Sequence, residues 1–222
     1  ANPATVTLGS GITYDYRGGS NLYYVLDTSP EAQITWTAVL DTYTGFAHRS
    51  GSSGAFSSTT LNGIGDANIY VSASANSSTT TDSVATATAD PINITDPNVT
   101  TTITVQKKPS LNYQIDVGGG NYQNVSTLNF AYNSYGLSNA QTVRFSTNQS
   151  ANSATPTITG GNSTKFSLED QGVVGGYRTY KFYPTEFNSS GATYTTTVRI
   201  TFVDLNFDLT LNQTSAPAPT VS

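Results

Sequence analysis

The chain has no cysteine and no methionine, one histidine, one tryptophan, and only 10% charged residues across 222 positions. The missing cysteines exclude a disulfide framework and any thiolate metal site. Cysteine and methionine are also the side chains that oxidation attacks first, so their joint absence suits a long-lived protein outside the cell. Charge is far scarcer than the roughly 25% of an ordinary soluble domain, and Thr, Ser, Asn and Gly take its place rather than apolar residues. The net charge of −5 is spread thinly, and Lys107-Lys108 is the one basic pair. No nucleic-acid or anionic-membrane footprint results. Apolar runs such as Leu22–Leu26 are too short to span a bilayer, so direct membrane insertion is not expected. No window carries an i, i+3, i+4, i+7 stripe, which removes helices from consideration.

What is present is a period of two. Val6, Leu8, Ser10, Ile12, Tyr14 and Tyr16 fall on one parity, and Thr5, Thr7, Gly9, Gly11, Thr13 and Asp15 on the other. That pattern predicts one extended N-terminal strand over residues 1–16 with an apolar face, ended by a bend at Gly18-Gly19. Such a strand needs a partner sheet for its ladder groups and its apolar face. It either folds back as the first strand of its own domain or is donated to another copy.

Shorter alternating runs follow: 21–26, 34–40, 67–73, 83–89, 99–105, 111–117, 128–132, 142–147, 177–183 and 194–202. Turn clusters separate them, among them Asp27–Pro30, Asn62-Gly63, Gly118–Gly120, Gly160–Asn162 and Asn188–Gly191. Ten or so short strands at this spacing predict an all-β, Ig-like or pilin-like antiparallel sandwich. The apolar parity changes between Val198-Ile200-Phe202 and Val203-Leu205-Phe207-Leu209-Leu211, which predicts a β-bulge or a strand changing sheets. The body is expected over 17–212, preferably as one unit, with a subdivision conceivable near 107–110. Residues 213–222 are expected to form a solvated tail.

Catalysis has little to build on. His48 lies in Gly45–Gly51, expected to be an exposed loop, and any imidazole-based nucleophile or metal site would have to use it. The acids are dispersed: Glu169 and Asp170 are neighbours that point to opposite faces of a strand, and Asp204 and Asp208 are expected to face solvent. Asp90–Asp96 lacks the ligand spacing of a calcium loop. No catalytic residue, metal site or cofactor is assigned. Trp36 shares its parity with Ile34 and Leu40, which predicts a core residue rather than a sugar platform. An isopeptide bond would require Lys107, Lys108, Lys165 or Lys181 to be buried beside an amide and a carboxylate. Asn-x-Ser/Thr occurs at Asn76, Asn93, Asn98, Asn124, Asn148, Asn162, Asn188 and Asn212. Nineteen asparagines in a chain that is about 28% Ser plus Thr yield roughly five such triplets from composition alone, so placement in turn clusters carries the case for N-glycans.

The N-terminal segment Ala1–Tyr16, the cysteine-free Tyr/Thr/Asn-rich β body and the sequons together resemble the archaeal thread filament subunit of Sulfolobales, which is similar in organisation to bacterial chaperone–usher pilins. The resemblance implies an extracellular, glycosylated filament in which the chain is its own partner, head to tail. Each N-terminal strand would fill a groove in its neighbour. Val6, Leu8, Ile12, Tyr14 and Tyr16 would be the donor knobs, with Ser10 a small residue at a tight point. Bacterial pilins of this kind often carry a disulfide, which this chain cannot form. The start at Ala1-Asn2-Pro3-Ala4 is expected of a mature product whose leader has been removed. The competing reading is a secreted carbohydrate-binding or surface-layer sandwich module.

With only 14 acidic residues, few carboxylates can be lost to protonation. We expect no cooperative unfolding above about pH 3; a circular-dichroism acid titration with a transition above that point would refute this.

Overall fold

The computed structural model describes residues 4–30, 33–41, 45–149 and 153–218. Residues 1–3 of the N-terminal segment, Ser150 of the Asn148 sequon and 219–222 of the tail lie outside the described residues. The chain divides into two compact units, Ala1–Lys108 and Pro109–Ser222. The single larger body preferred from sequence is therefore replaced by two sandwiches, each with its own apolar cluster.

In the first unit the strands are β1 (Thr5–Leu8), β2 (Ile12–Tyr14), β3 (Gly19–Ser29), β4 (Thr35–Leu40), β5 (Phe46–Ser50), β6 (Leu61–Ile64), β7 (Ala67–Ala73), β8 (Ser83–Pro91) and β9 (Val99–Val105). They form one sheet in the order β1-β3-β7-β5 and another in the order β2-β9-β8-β4-β6. In the second unit they are β10 (Leu111–Asp116), β11 (Tyr122–Gln123), β12 (Thr127–Phe130), β13 (Gln141–Thr147), β14 (Thr155–Thr159), β15 (Phe166–Val174), β16 (Tyr177–Pro184), β17 (Tyr194–Phe202) and β18 (Leu205–Gln213). Their orders are β11-β10-β13-β16-β15 and β12-β18-β17-β14.

The two units share one topology. Matching β1, β2, β3, β4, β5, β7, β8 and β9 to β10, β12, β13, β14, β15, β16, β17 and β18 superposes both sheet orders. Only β6 and β11 are left over. Pairing is antiparallel throughout the named strands except at β2 with β9 and β12 with β18, which are parallel in both units.

Alternation explains the cores. Trp36, Ala38 and Leu40 of β4 turn inward, as do Ala85, Ala87 and Ala89 of β8 and Ile103 and Val105 of β9. The alanines keep one row of that face thin, in a layer that also holds Trp36 and Tyr24. Trp36 is 1% exposed and donates its indole N–H to the Gly65 carbonyl at 2.7 Å.

Two local expectations give way. Asn62-Gly63 is not a turn but part of β6, where glycine is demanded by contact: a Cβ on Gly63 would lie 2.2 Å from the Trp36 ring. The parity change after Phe202 is neither a bulge nor a sheet switch. β17 and β18 form a hairpin whose loop is just Val203-Asp204, with Phe202 directly opposite Leu205. A two-residue loop pairs an even position with an odd one, so the apolar parity inverts while the face is kept.

Val203 is the one non-glycine with positive φ among the described residues, at 56°, and is 57% exposed. A β-branched residue is strained there. Val203→Gly is expected to stabilise the second unit by about 0.5–1 kcal/mol, read as a higher urea midpoint; an unchanged or lower midpoint would show that the turn carries no strain.

Candidate functional site at the N-terminal seam

The N-terminal segment is not one continuous strand. β1 pairs antiparallel with β3, placing Val6 opposite Thr28 and Leu8 opposite Leu26, and the chain then crosses to the other sheet. There β2 runs parallel to β9, placing Ile12 opposite Ile103 and Tyr14 opposite Val105. Gly9-Ser10-Gly11 makes the crossing. The Gly9 N–H donates to the Val25 carbonyl at 2.8 Å, and the Gly9 carbonyl accepts from Thr101 Oγ1 at 3.0 Å. Gly11 presses on β9 so closely that a Cβ would sit 2.7 Å from the Thr102 carbonyl oxygen.

Polar anchors close both ends. The Val6 N–H donates to Asp96 Oδ2 at 2.9 Å. Tyr14 donates its hydroxyl to the Val71 carbonyl at 2.6 Å, reaching across to the opposite sheet. Burial pushes its phenol pKa up, against a smaller lowering by the Leu22 N–H, so the donor proton is held more firmly. The Gln106 N–H donates to the Tyr14 carbonyl at 3.0 Å and the Asn76 N–H to the Tyr16 carbonyl at 2.7 Å.

Of the six residues expected on the donor face, Val6, Ile12 and Tyr14 are buried, at 2%, 6% and 6% exposure. Leu8 and Tyr16 are half-buried and Ser10 is exposed. The tight point is Gly11, not Ser10. Parity survives the crossing, which is why a sheet switch read as one strand. Asp96 and Thr101 were missed: neither belongs to a motif, and their role exists only once β9 lies beside the segment.

The sequons separate into classes. Asn93, Asn98 and Asn124 are exposed, and Asn148, Asn162 and Asn212 are half-buried. Asn76 and Asn188 are buried, at 7% and 0% exposure.

The remaining chemistry is structural. Far from an exposed loop, His48 lies on β5 with 0% exposure, its Nε2 2.6 Å from the Thr59 carbonyl. That contact makes Nε2 the protonated nitrogen and leaves Nδ1 a buried acceptor without a partner among the described residues. The alternation of Phe46 and His48 was the available signal. Asp208 is exposed and paired with Arg199 through two hydrogen bonds of 2.9 Å, which draws its carboxyl below the usual range. Lys165 pairs with Glu186 at 2.7 Å. Among the described residues no group of three or more His, Asp or Glu side chains could hold a metal ion. On the second unit, Arg144 lies between the rings of Tyr122 and Tyr177, 3.6 and 4.2 Å from their centres, and donates twice to Gln114 Oε1. One face of each ring is thus taken by a guanidinium.

No family model matches the chain, and no curated protein does. Solved structures match in shape. The I-band fragment I67-I69 from titin is 10% identical, with a TM-score of 0.50 over 97% of this chain and 66% of that one. An E-to-A variant of the same three-Ig fragment matches at 10% identity and TM-score 0.50, over 96% of this chain and 65% of that one. The fold is immunoglobulin-like. A protocadherin gammaB7 EC3-6 structure aligns with 98% of this chain at 10% identity and TM-score 0.45, and the chain spans about half its length (48%). Among the described residues no helix is long and apolar enough to cross a membrane.

His48 gives the first unit a pH signature. Burial lowers its pKa from the ordinary 6.5, outweighing the raising effect of the Thr59 bond. The folded chain therefore binds fewer protons than the unfolded chain below about pH 6.5. Stability is complete above that pH and falls as the pH drops through the window beneath it. Trp36, the sole tryptophan, reports the first unit alone. Its urea midpoint is expected to fall between about pH 7.5 and about pH 5, and His48→Gln should flatten the slope. The same slope in that variant would exclude His48 as the cause.

Proposed function

We propose that the chain is a structural subunit of an extracellular glycosylated filament that polymerises head to tail, each copy donating its N-terminal segment to the next. The observation that carries this reading is the construction of the seam. β1 and β2 each end a sheet, so each is bonded to a single neighbouring strand, yet together they place Val6, Ile12 and Tyr14 in the core. A segment held at two sheet edges leaves by breaking two ladders and no others. Its departure exposes an apolar slot that an identical segment from another copy fills with the same contacts. Burial of three large side chains at ~1.5–3 kcal/mol each makes an empty slot costly, so a second copy has a driving force to occupy it. The Asp15–Gly18 turn, closed by the Gly18 N–H on the Asp15 carbonyl at 3.0 Å, is the hinge that must extend. Once the segment swings out, donor and vacated slot are different surfaces of one subunit, so the contact is heterologous and propagates as a filament where the rotation between copies does not close.

The absence of cysteine makes a cross-link test clean. Thr7 and Asp27 are register partners on β1 and β3, and both are exposed. The double variant Thr7→Cys, Asp27→Cys is expected to give filaments which, after oxidation, run as a covalent ladder on denaturing non-reducing gels. Monomers cross-linked only within themselves, from preparations that contain filaments, would defeat the donor-strand reading.

A further inference from the structure

Asn76 and Asn188 occupy the same place in the two units. Each follows the strand (β7 or β16) that precedes the final hairpin, and each begins the tripeptide Asn-Ser-Ser. The Asn76 N–H donates to the Tyr16 carbonyl at 2.7 Å, two residues beyond β2. The Asn188 N–H donates to the Tyr132 carbonyl at 3.0 Å, two residues beyond β12. Asn76 Nδ2 donates to the carbonyls of Thr81 at 2.9 Å and Val105 at 3.3 Å. Asn188 Nδ2 donates to those of Ala192 at 2.9 Å and Gln213 at 3.1 Å. Val105 and Gln213 are the last residues of β9 and β18, the parallel partners of β2 and β12. Each Oδ1 accepts the N–H of the second serine, Ser78 at 2.9 Å or Ser190 at 3.1 Å.

We infer that Asn76 and Asn188 are locks that hold the parallel seam of each unit shut, and that folding closes their sequons to glycan transfer. The chemistry is restrictive. Transfer from a lipid-pyrophosphate-linked sugar forms a bond from Nδ2 to the anomeric carbon, expels the lipid pyrophosphate and removes one amide proton. One hydrogen then remains on Nδ2, whereas both locks use two, in a space that admits no sugar. Asn93 differs: it is exposed and donates from Nδ2 to the Gln33 carbonyl alone among the described residues, so one hydrogen is available. Glycan attached to either lock before folding would keep the end of β2 or β12 from docking. In this chain, then, two of the eight sequon matches are fold determinants, and glycans belong to the exposed set led by Asn93, Asn98 and Asn124.

The glycan half of this inference rests on the reading of the chain as a secreted glycoprotein; the locking half does not, and the test has an arm for each. The full chain is secreted from a host that modifies Asn-x-Ser/Thr, recovered in native form, and its attachment sites are mapped by enzymatic glycan release in isotopically labelled water. Label at Asn93, Asn98 or Asn124 with none at Asn76 or Asn188 is expected; label at either lock in folded chain overturns their closure. Independently, Asn76→Asp and Asn188→Asp keep the size but remove both donors and set a carboxylate against two carbonyls. Each is expected to lower the folding equilibrium constant of its own unit by at least about 10-fold, while Asn98→Asp and Asn124→Asp leave it unchanged. Trp36 fluorescence reads the first unit and circular dichroism the whole chain. Equal stability of all four variants would overturn the lock, whatever becomes of filament assembly or glycan occupancy.

Discussion

A parallel pairing of three or four residues with the end of the last strand is the constraint on which the rest of each unit depends. In an antiparallel sandwich the hairpins hold themselves together, because consecutive strands are joined by short turns. β2 has no such help. It reaches β9 only after the chain has left the other sheet, and no tight turn links the two. Its closure therefore relies on side chains and backbone groups recruited from elsewhere: Asp96 at β1, Thr101 and the Thr102 backbone at the crossing, Val71 for the Tyr14 hydroxyl, and Asn76 at the exit. The edge of each unit is sealed by scattered polar anchors rather than by more apolar surface, which fits a chain poor in charge and rich in hydroxyls and amides.

The same solution appears twice. At the second seam Phe130 stands where Tyr14 does, Gln213 where Val105 does, and the Thr214 N–H donates to the Phe130 carbonyl at 3.0 Å as the Gln106 N–H does to Tyr14. Side chains facing the core have diverged, whereas backbone-directed bonds and the Asn-Ser-Ser tripeptides persist. Apolar positions tolerate exchange at roughly constant volume. A buried side-chain amide that satisfies three backbone groups has no substitute of the same shape and polarity. Such a repeat lies in the strand order, and alternation, which both halves share with any β protein, does not reveal it.

This difference marks what was legible. The longer alternating strands, the core role of Trp36 and the place of the Lys107–Ser110 joint follow from local alternation and turn chemistry, where neighbours in sequence decide the outcome, whereas β5, β6, β11, β14 and β15 are not among the expected runs. The misread features depend on partners far along the chain. The crossing at Gly9–Gly11 keeps parity and so hides a change of sheet. The Val203-Asp204 loop inverts parity and so mimics one. His48 passed for a loop residue because Gly45 and Gly51 flank a strand only five residues long. Asn76 and Asn188 sit in loops dense in Ser and Thr, where composition predicts exposure; only the ends of β9 and β18 reveal that their amides are spent.

In the proposed strand exchange, closure within one copy and donation to the next would use the same bonds, so their difference in free energy would be small compared with either alone. What separates them is the hinge and the concentration. Keeping the segment at home holds Asp15–Gly18 in a tight turn, with Gly18 at φ 72° and so close to β7 that a Cβ would lie 2.2 Å from the Ala73 carbonyl oxygen. Donation releases that turn but costs the freedom of two separate molecules. Under the proposed exchange, a closed monomer would be a protected form, with no bare groove for aggregation while copies are scarce, and exchange would become favourable as they accumulate. Asn76 stands at the hinge itself, bonded to Tyr16 beyond the end of β2. In the proposed exchange, an arriving segment would offer its own Tyr16 carbonyl to that backbone N–H as the resident one does, so the residue that locks the fold would also set the register of the strand that replaces its own.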